Sequence, residues 1–180
     1  MTLNDRTHHT VGKQSTDSCR LCNGTPLREL IDFGLQPISH RLLSSLEDVN
    51  EYQHALKISS CELCGLMQIA NPIPKEELYS NYNWFSEWKP QPHQTAQIDE
   101  LLRRGCLNEN SFVFEIGCND GLFLSKFREH GISNVLGLEP TFDASSKAKE
   151  RGLNVVRDYF NYDTAHRLLK THPMPDVIVC

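Results

Sequence analysis

From residue 111 onward, apolar runs and amphipathic segments alternate. SFVFEIG (111–117) is a short apolar run suited to a buried strand, and GLFLSKFREHG (121–131) spaces its apolar residues for one face of a helix. NVLGLEP, LNVV and DVIVC repeat the strand pattern, and FDASSKAKERG and NYDTAHRLLKTH lie between them as helices. Strands alternating with helices of this length predict βαβ units and a parallel sheet, so an α/β fold is expected.

The preceding pattern is different. Between residues 18 and 71 the segments LRELIDFG, HALKISSC and GLMQIAN are short and end at Gly, Cys or Asn-Pro, as in a small β-rich module. Pro72 and Pro74 close it, and PKEELYSNY reads as a short helix with Glu76 and Glu77 in its first turn, where the helix dipole favours acids. YSNYNWFSEWKPQPHQ is a connector holding both tryptophans, and its prolines at 90 and 92 make it poor helix; HQTAQIDELLRRGCL (93–107) reads as a helix stopped by Gly105. The expected division is a polar disordered leader over 1–17, a module over 18–74, a connector and helix over 75–107, and a partial sheet domain over 108–180. A fourth strand at DVIVC would present a new edge, so the chain is expected to be part of a longer protein.

Composition narrows the function classes. The chain has 180 residues, 39% hydrophobic, with a formal charge of -5. Residues 1–80 carry seven Lys/Arg against ten Asp/Glu, which disfavours a nucleic-acid partner, whose affinity comes mainly from basic side chains displacing counterions. No apolar run approaches the roughly 20 residues needed to span a bilayer, and the first 18 residues lack the apolar core of a secretory signal, so a cytoplasmic location is expected.

Four of the seven cysteines form two pairs of equal spacing: Cys19 and Cys22 in SCRLCNG, then Cys61 and Cys64 in SCELCGL, with 38 residues between. Gly24 and Gly65 allow each backbone to turn so that both thiolates of a pair face one ion. Four thiolates suit tetrahedral zinc, and with no position left for water the site is structural. The competing reading is four unligated or redox-active cysteines. The spacer exceeds that of a compact ribbon and must form its own layer. Cys106, Cys118 and Cys180 are isolated, and His40 is expected on the surface.

EIGCNDG follows the first strand of the parallel sheet. Gly117 and Gly121 would let a ligand approach the backbone, but Asn119 stands where a dinucleotide loop has its second glycine. Glu115 and Asp120 would repel a pyrophosphate, and no GK[ST] is present. Glu139 follows Gly121 by 18 residues at the end of VLGLEP, where an acid accepts hydrogen bonds from ribose hydroxyls. An adenosine-bearing ligand with positive charge and no phosphate meets these conditions, and S-adenosylmethionine is the candidate. Its site would comprise Glu115, Gly117, Cys118, Asn119, Asp120, Gly121, Glu139 and Pro140. Asp158 and Tyr159, with Phe160, follow the third strand and either hold an adenine or pack as an ordinary loop.

CRLC, DFGLQPIS, CELCGLMQ, ELYSNYNWFS, EIGCNDG and GLEPTFDASSKAKERGLNVVRDYF occur in an order that resembles the zinc-containing sugar C-methyltransferases, over about residues 18–180. The resemblance implies a small β-rich zinc-binding module followed by the first half of a Rossmann-like class I methyltransferase sheet, with S-adenosylmethionine and structural zinc as cofactors. It implies a nucleotide-linked 4-keto deoxysugar as substrate, deprotonated beside its ketone before the enolate takes the methyl group. The family's histidine and glutamate-histidine catalytic groups lie beyond its fourth strand and match no residue here. A substrate-side tyrosine of the family corresponds to Tyr82 or Trp84, and Tyr82 is the candidate catalytic residue; hinge packing is the other use for these aromatics. Two rivals remain: a zinc-binding interaction protein with a degenerate nucleotide-binding fold, and a nicotinamide-dependent oxidoreductase. Neither the methylated carbon nor the oligomeric state is legible.

Overall fold

The computed structural model describes residues 18–43, 45, 51–80, 84–86, 89 and 91–180; the expected leader, Tyr82 and Trp88 lie outside the described residues. The chain divides into two compact units, one ending at Glu77 and the other running Leu78–Cys180. The second unit takes in most of the expected 75–107 segment together with the expected sheet domain.

The first unit is a three-stranded antiparallel sheet of β1 (Leu27–Pro37), β2 (Gln53–Cys61) and β3 (Met67–Ile69), in the order β1-β2-β3. β1 and β2 lie between the two cysteine pairs and supply the layer that the long spacer requires. Their register sets Leu27 opposite Cys61 and Ile58 opposite Ile69. Apolar burial is sparse: Cys19, Ile38 and Cys61 are buried, whereas Ile31, Phe33 and Leu35 on β1 are exposed. The unit closes with α1 (Lys75–Leu78), which carries Glu76 and Glu77 in its first turn as expected.

The second unit opens with α2 (Pro92–Arg103). Pro92 starts the helix instead of preventing it, because the first turn has no use for the missing N–H. Ile98 faces inward and is fully buried, in one core with Val113, Leu124, Phe127 and Ile132. Then follow β4 (Val113–Ile116), α3 (Leu122–Glu129), β5 (Val135–Leu138), α4 (Phe142–Glu150), β6 (Val155–Val156), α5 (Tyr162–Leu168) and β7 (Val177–Val179).

The four strands are parallel in the order β6-β5-β4-β7. The chain steps outward from β4 to β6 and then returns to the other side of β4. That reversal makes the carboxyl end of β4 the switch point, where ligands bind in open α/β sheets. Alternation along the strands sends Val113 and Val135 into one core, while Phe114, Leu136 and Leu138 join Leu168 of α5 on the opposite face. This second face encloses a hollow of about 110 Å³ among Phe112, Phe114, Phe160 and Met174.

The turn from β4 into α3 needs left-handed backbone at Gly117 (φ 71°), Asn119 (φ 53°) and Gly121 (φ 76°). A side chain on Gly121 would meet Leu153 and come within 3.0 Å of Ala148 Cβ, whereas one on Gly117 would meet nothing within 4 Å. Gly121→Ala is therefore expected to lower the unfolding free energy by about 2–4 kcal/mol, from backbone strain plus overpacking. Gly117→Ala should cost about 1–2 kcal/mol from strain alone. Urea unfolding of both variants checks the difference.

Candidate functional site

The sulfur atoms of Cys19, Cys22, Cys61 and Cys64 lie within 4.8 Å of one another. Across the two knuckles, Cys19 Sγ is 3.5 Å from Cys64 Sγ and Cys22 Sγ is 3.6 Å from Cys61 Sγ. A tetrahedral zinc with Zn–S bonds of about 2.3 Å separates its sulfurs by about 3.8 Å, so the donor set fits that ion closely. All four cysteines are free of disulfides, and no histidine joins the cluster among the described residues.

Each knuckle is held by its backbone. Asn23 N–H donates to Cys19 O at 2.8 Å, and Gly65 N–H to Cys61 O at 2.9 Å. Buried Gln68 fastens the first knuckle to β3: its Oε1 accepts from Arg20 N at 3.0 Å and its Nε2 donates to Ser18 O at 3.2 Å. The Cys22 N–H, foremost among several donors, lowers the Cys19 thiol to about 6, while Cys64, despite a hydrogen bond from Leu66 N–H, is raised to about 12 by its thiolate neighbour, so the thiols do not all ionise together by themselves.

A cavity of about 300 Å³ lies at the carboxyl ends of β4, β5 and β6. Seven residues anticipated from sequence line it: Gly117, Asn119, Glu139, Pro140, Asp158, Tyr159 and Phe160. Ile116 and Leu138 add apolar wall, and Tyr79 is a further wall residue, its ring 6.0 Å from that of Tyr159. Tyr79 stood in the aromatic connector, but five aromatics there gave no means of choosing it.

Glu139 is 5% exposed and heavily hydrogen-bonded. Its Oε2 accepts from Asn119 N at 3.0 Å, and its Oε1 from Thr141 N at 2.8 Å and Thr141 Oγ1 at 2.7 Å. Thr141 caps α4 by position only, because its hydroxyl serves Glu139 instead of the helix. Sequence reading missed this role, although a threonine two residues beyond the acid at a helix start is a visible signal. Asp158 Oδ2 pairs with Arg167 at 2.6 Å, and that hydrogen bond holds its carboxyl below the usual range.

Four of the anticipated residues do not line the cavity. Gly121 packs against α4, as above. Cys118 turns its thiol inward, so close that a side chain on Gly137 would come within 2.5 Å of its sulfur, and burial raises its pKa. Asp120 is fully buried, 3.6 Å from Arg151, so it has a cationic partner that the local sequence did not show. Glu115 follows Val113 onto the core face of β4. Burial, reinforced by the charges of Asp120 and Glu139, pushes it up to about 8, and its Oε2 has no hydrogen-bond partner among the described residues. Near neutrality it is mainly uncharged, and the acids that rim the cavity are Glu139 and Asp158. Among the described residues no lysine or arginine lines it.

Residues 19–79 match a family model described as "Putative zinc binding domain". Over 165 residues the chain is 24% identical to the C-methyltransferase NovU of Streptomyces niveus, an alignment covering 90% of this chain and 39% of that protein. Two solved S-adenosylmethionine-dependent methyltransferases in complex with S-adenosyl-L-homocysteine also match, each at 22% identity and a TM-score of 0.32. The one from Thiobacillus denitrificans shares 48% of this chain and 37% of its own, and the one from Geobacter sulfurreducens 49% and 36%; overlaps this partial do not bear on function. No helix among the described residues is long and apolar enough to cross a membrane. The chain spans about two fifths of the length of its curated relative, is similar to that C-methyltransferase along nearly all of its own, and carries the zinc-binding family's match at residues 19–79.

Proposed function

We propose that this chain is the zinc-binding and cofactor-binding part of an S-adenosylmethionine-dependent C-methyltransferase acting on a nucleotide-linked 4-keto deoxysugar. The observation that carries this reading is the cavity at the strand ends, rimmed by Glu139 and by Asp158, itself paired with Arg167, with no basic side chain in its wall among the described residues. Such a rim accepts a cationic nucleoside and disfavours a phosphorylated one. It counts against the nicotinamide-dependent oxidoreductase, and similarity to a C-methyltransferase counts against a pure interaction scaffold.

Each wall has a use for this ligand. Glu139 Oε2 already accepts one hydrogen bond and has a second lone pair for a ribose hydroxyl. Tyr79, Tyr159 and Phe160 supply aromatic surface for the adenine, and Gly117 leaves the backbone open to the amino-acid end. When bound, S-adenosylmethionine supplies an electrophilic methyl group. No histidine lines the cavity among the described residues. The chain alone is expected to bind cofactor and catalyse no transfer.

Calorimetric titration tests this directly. S-Adenosylhomocysteine should bind one site per chain, and Glu139→Gln should weaken it about tenfold or more, corresponding to about 1.4 kcal/mol. NAD should not compete. Absence of heat from the unaltered chain sinks the cofactor reading and favours the scaffold.

The metal has its own test. One zinc per chain is expected by elemental analysis, and Cys61→Ser should lose it together with the β signal of the first unit, since the described residues of this unit bury little else that is apolar.

Glu115 gives a pH test. Its raised folded value means the folded chain keeps a proton that the unfolded chain loses, so stability falls as pH rises from the ordinary 4.5 to about 8. Glu115→Gln should flatten that decline, by at most about 1.4 kcal/mol per pH unit, in urea titrations across the window.

A further inference from the structure

Asn119 occupies the position where a dinucleotide loop has glycine, and its left-handed backbone would accept glycine readily. Asparagine and aspartate also tolerate this conformation. What separates asparagine from both is a side-chain donor, and here it is used: Nδ2 donates to the main-chain carbonyl of Trp84 at 2.8 Å, across 35 residues of sequence. The same side chain accepts Asp120 N on Oδ1 at 2.7 Å, which fixes the orientation of the amide. Beside it, Lys147 Nζ sits 4.0 Å from the ring centroid of Phe85, a cation–π contact from α4. Two successive connector residues are thus held by the two elements that flank the cavity.

The backbone N–H of Asn119 meanwhile donates to Glu139 Oε2, the oxygen that the cofactor reading gives to a ribose hydroxyl. A group that binds Glu139 therefore acts on the residue that seats Trp84. We propose that Asn119 is a positioning residue that seats the Trp84–Phe85 connector on the cofactor loop and transmits occupancy at Glu139 to it. The seat stands on geometry alone, while the transmission rests on the cofactor reading above. Linkage requires the effect to be reciprocal, so seating of Trp84 and Phe85 and binding of the cofactor favour each other.

Both tryptophans of the chain are in the connector, so a Trp88→Phe background leaves Trp84 as the only indole reporter. In that protein S-adenosylhomocysteine should reduce acrylamide quenching of Trp84. Asn119→Gly and Asn119→Asp, which keep a tolerated backbone but lose the donor, should both raise quenching in the free protein and abolish the response to ligand. Unchanged quenching in either variant, with circular dichroism showing an intact fold, overturns the seat. A retained response to ligand overturns the transmission.

If S-adenosylhomocysteine fails to bind the background protein, the cofactor reading and the transmission fall together, and free-state quenching still decides the seat. Should a variant not fold, the side-chain amide protons of Asn119 in the unaltered chain decide the seat by NMR: slow exchange supports it, and exchange at the rate of a free asparagine overturns it.

Discussion

The shape of the cavity depends on one carboxylate. Glu139 collects three hydrogen bonds from two loops, one donor from the β4–α3 turn and two from the β5–α4 turn. Those turns leave adjacent parallel strands, and sheet hydrogen bonding alone would let their tips diverge. Hydrogen bonds to a buried carboxylate offset the cost of taking it out of water. The clamp therefore fixes both loops and leaves a negative charge at the cavity wall.

The neighbouring acids meet the same cost of burial in different ways. Glu115 retains a proton, and Asp120 has Arg151 as a partner. Three carboxylates around one loop would repel one another if all were ionised and unpaired. Separating them into one protonated, one ion-paired and one hydrogen-bonded group leaves Glu139 as the ligand-facing charge of the set. The acids at the cavity wall are consequently Glu139 and the Arg167-paired Asp158, and not the two acids that first suggested a cationic ligand.

Much of this was legible in the sequence because it depends on periodicity or exact spacing. Strand–helix alternation gave the parallel sheet, and equal spacing of the cysteines gave the knuckles that the structure brings together. Side-chain direction within EIGCNDG was not legible. Alternation ends at Ile116, and three left-handed residues among the next five turn Asn119 toward the connector and Asp120 into the core. Glu115, still on the strand, could have been assigned to the core face by counting back to Val113. Arg151 lies 31 residues from Asp120, so no local pattern links them. Tyr79 was hidden among equivalent aromatics, and only the strand-end geometry distinguishes it.

The two units reach stability by different routes. The second buries a continuous apolar core around Phe127, Leu124 and Ile98 and has the usual hydrophobic basis for folding. The first leaves Leu35 and Met67 at 64% and 68% exposure and buries two of its cysteines instead. A sheet this small gains too little from apolar burial to offset the entropy of ordering its strands. Metal–thiolate bonds compensate, because ligands that precede β1 and lie at or after the end of β2 in sequence close a long loop and a structural zinc contributes directly to folding. The long spacer between the knuckles thus carries β1 and most of β2, and the cysteines fasten the open end of that strand pair, where Leu27 faces Cys61.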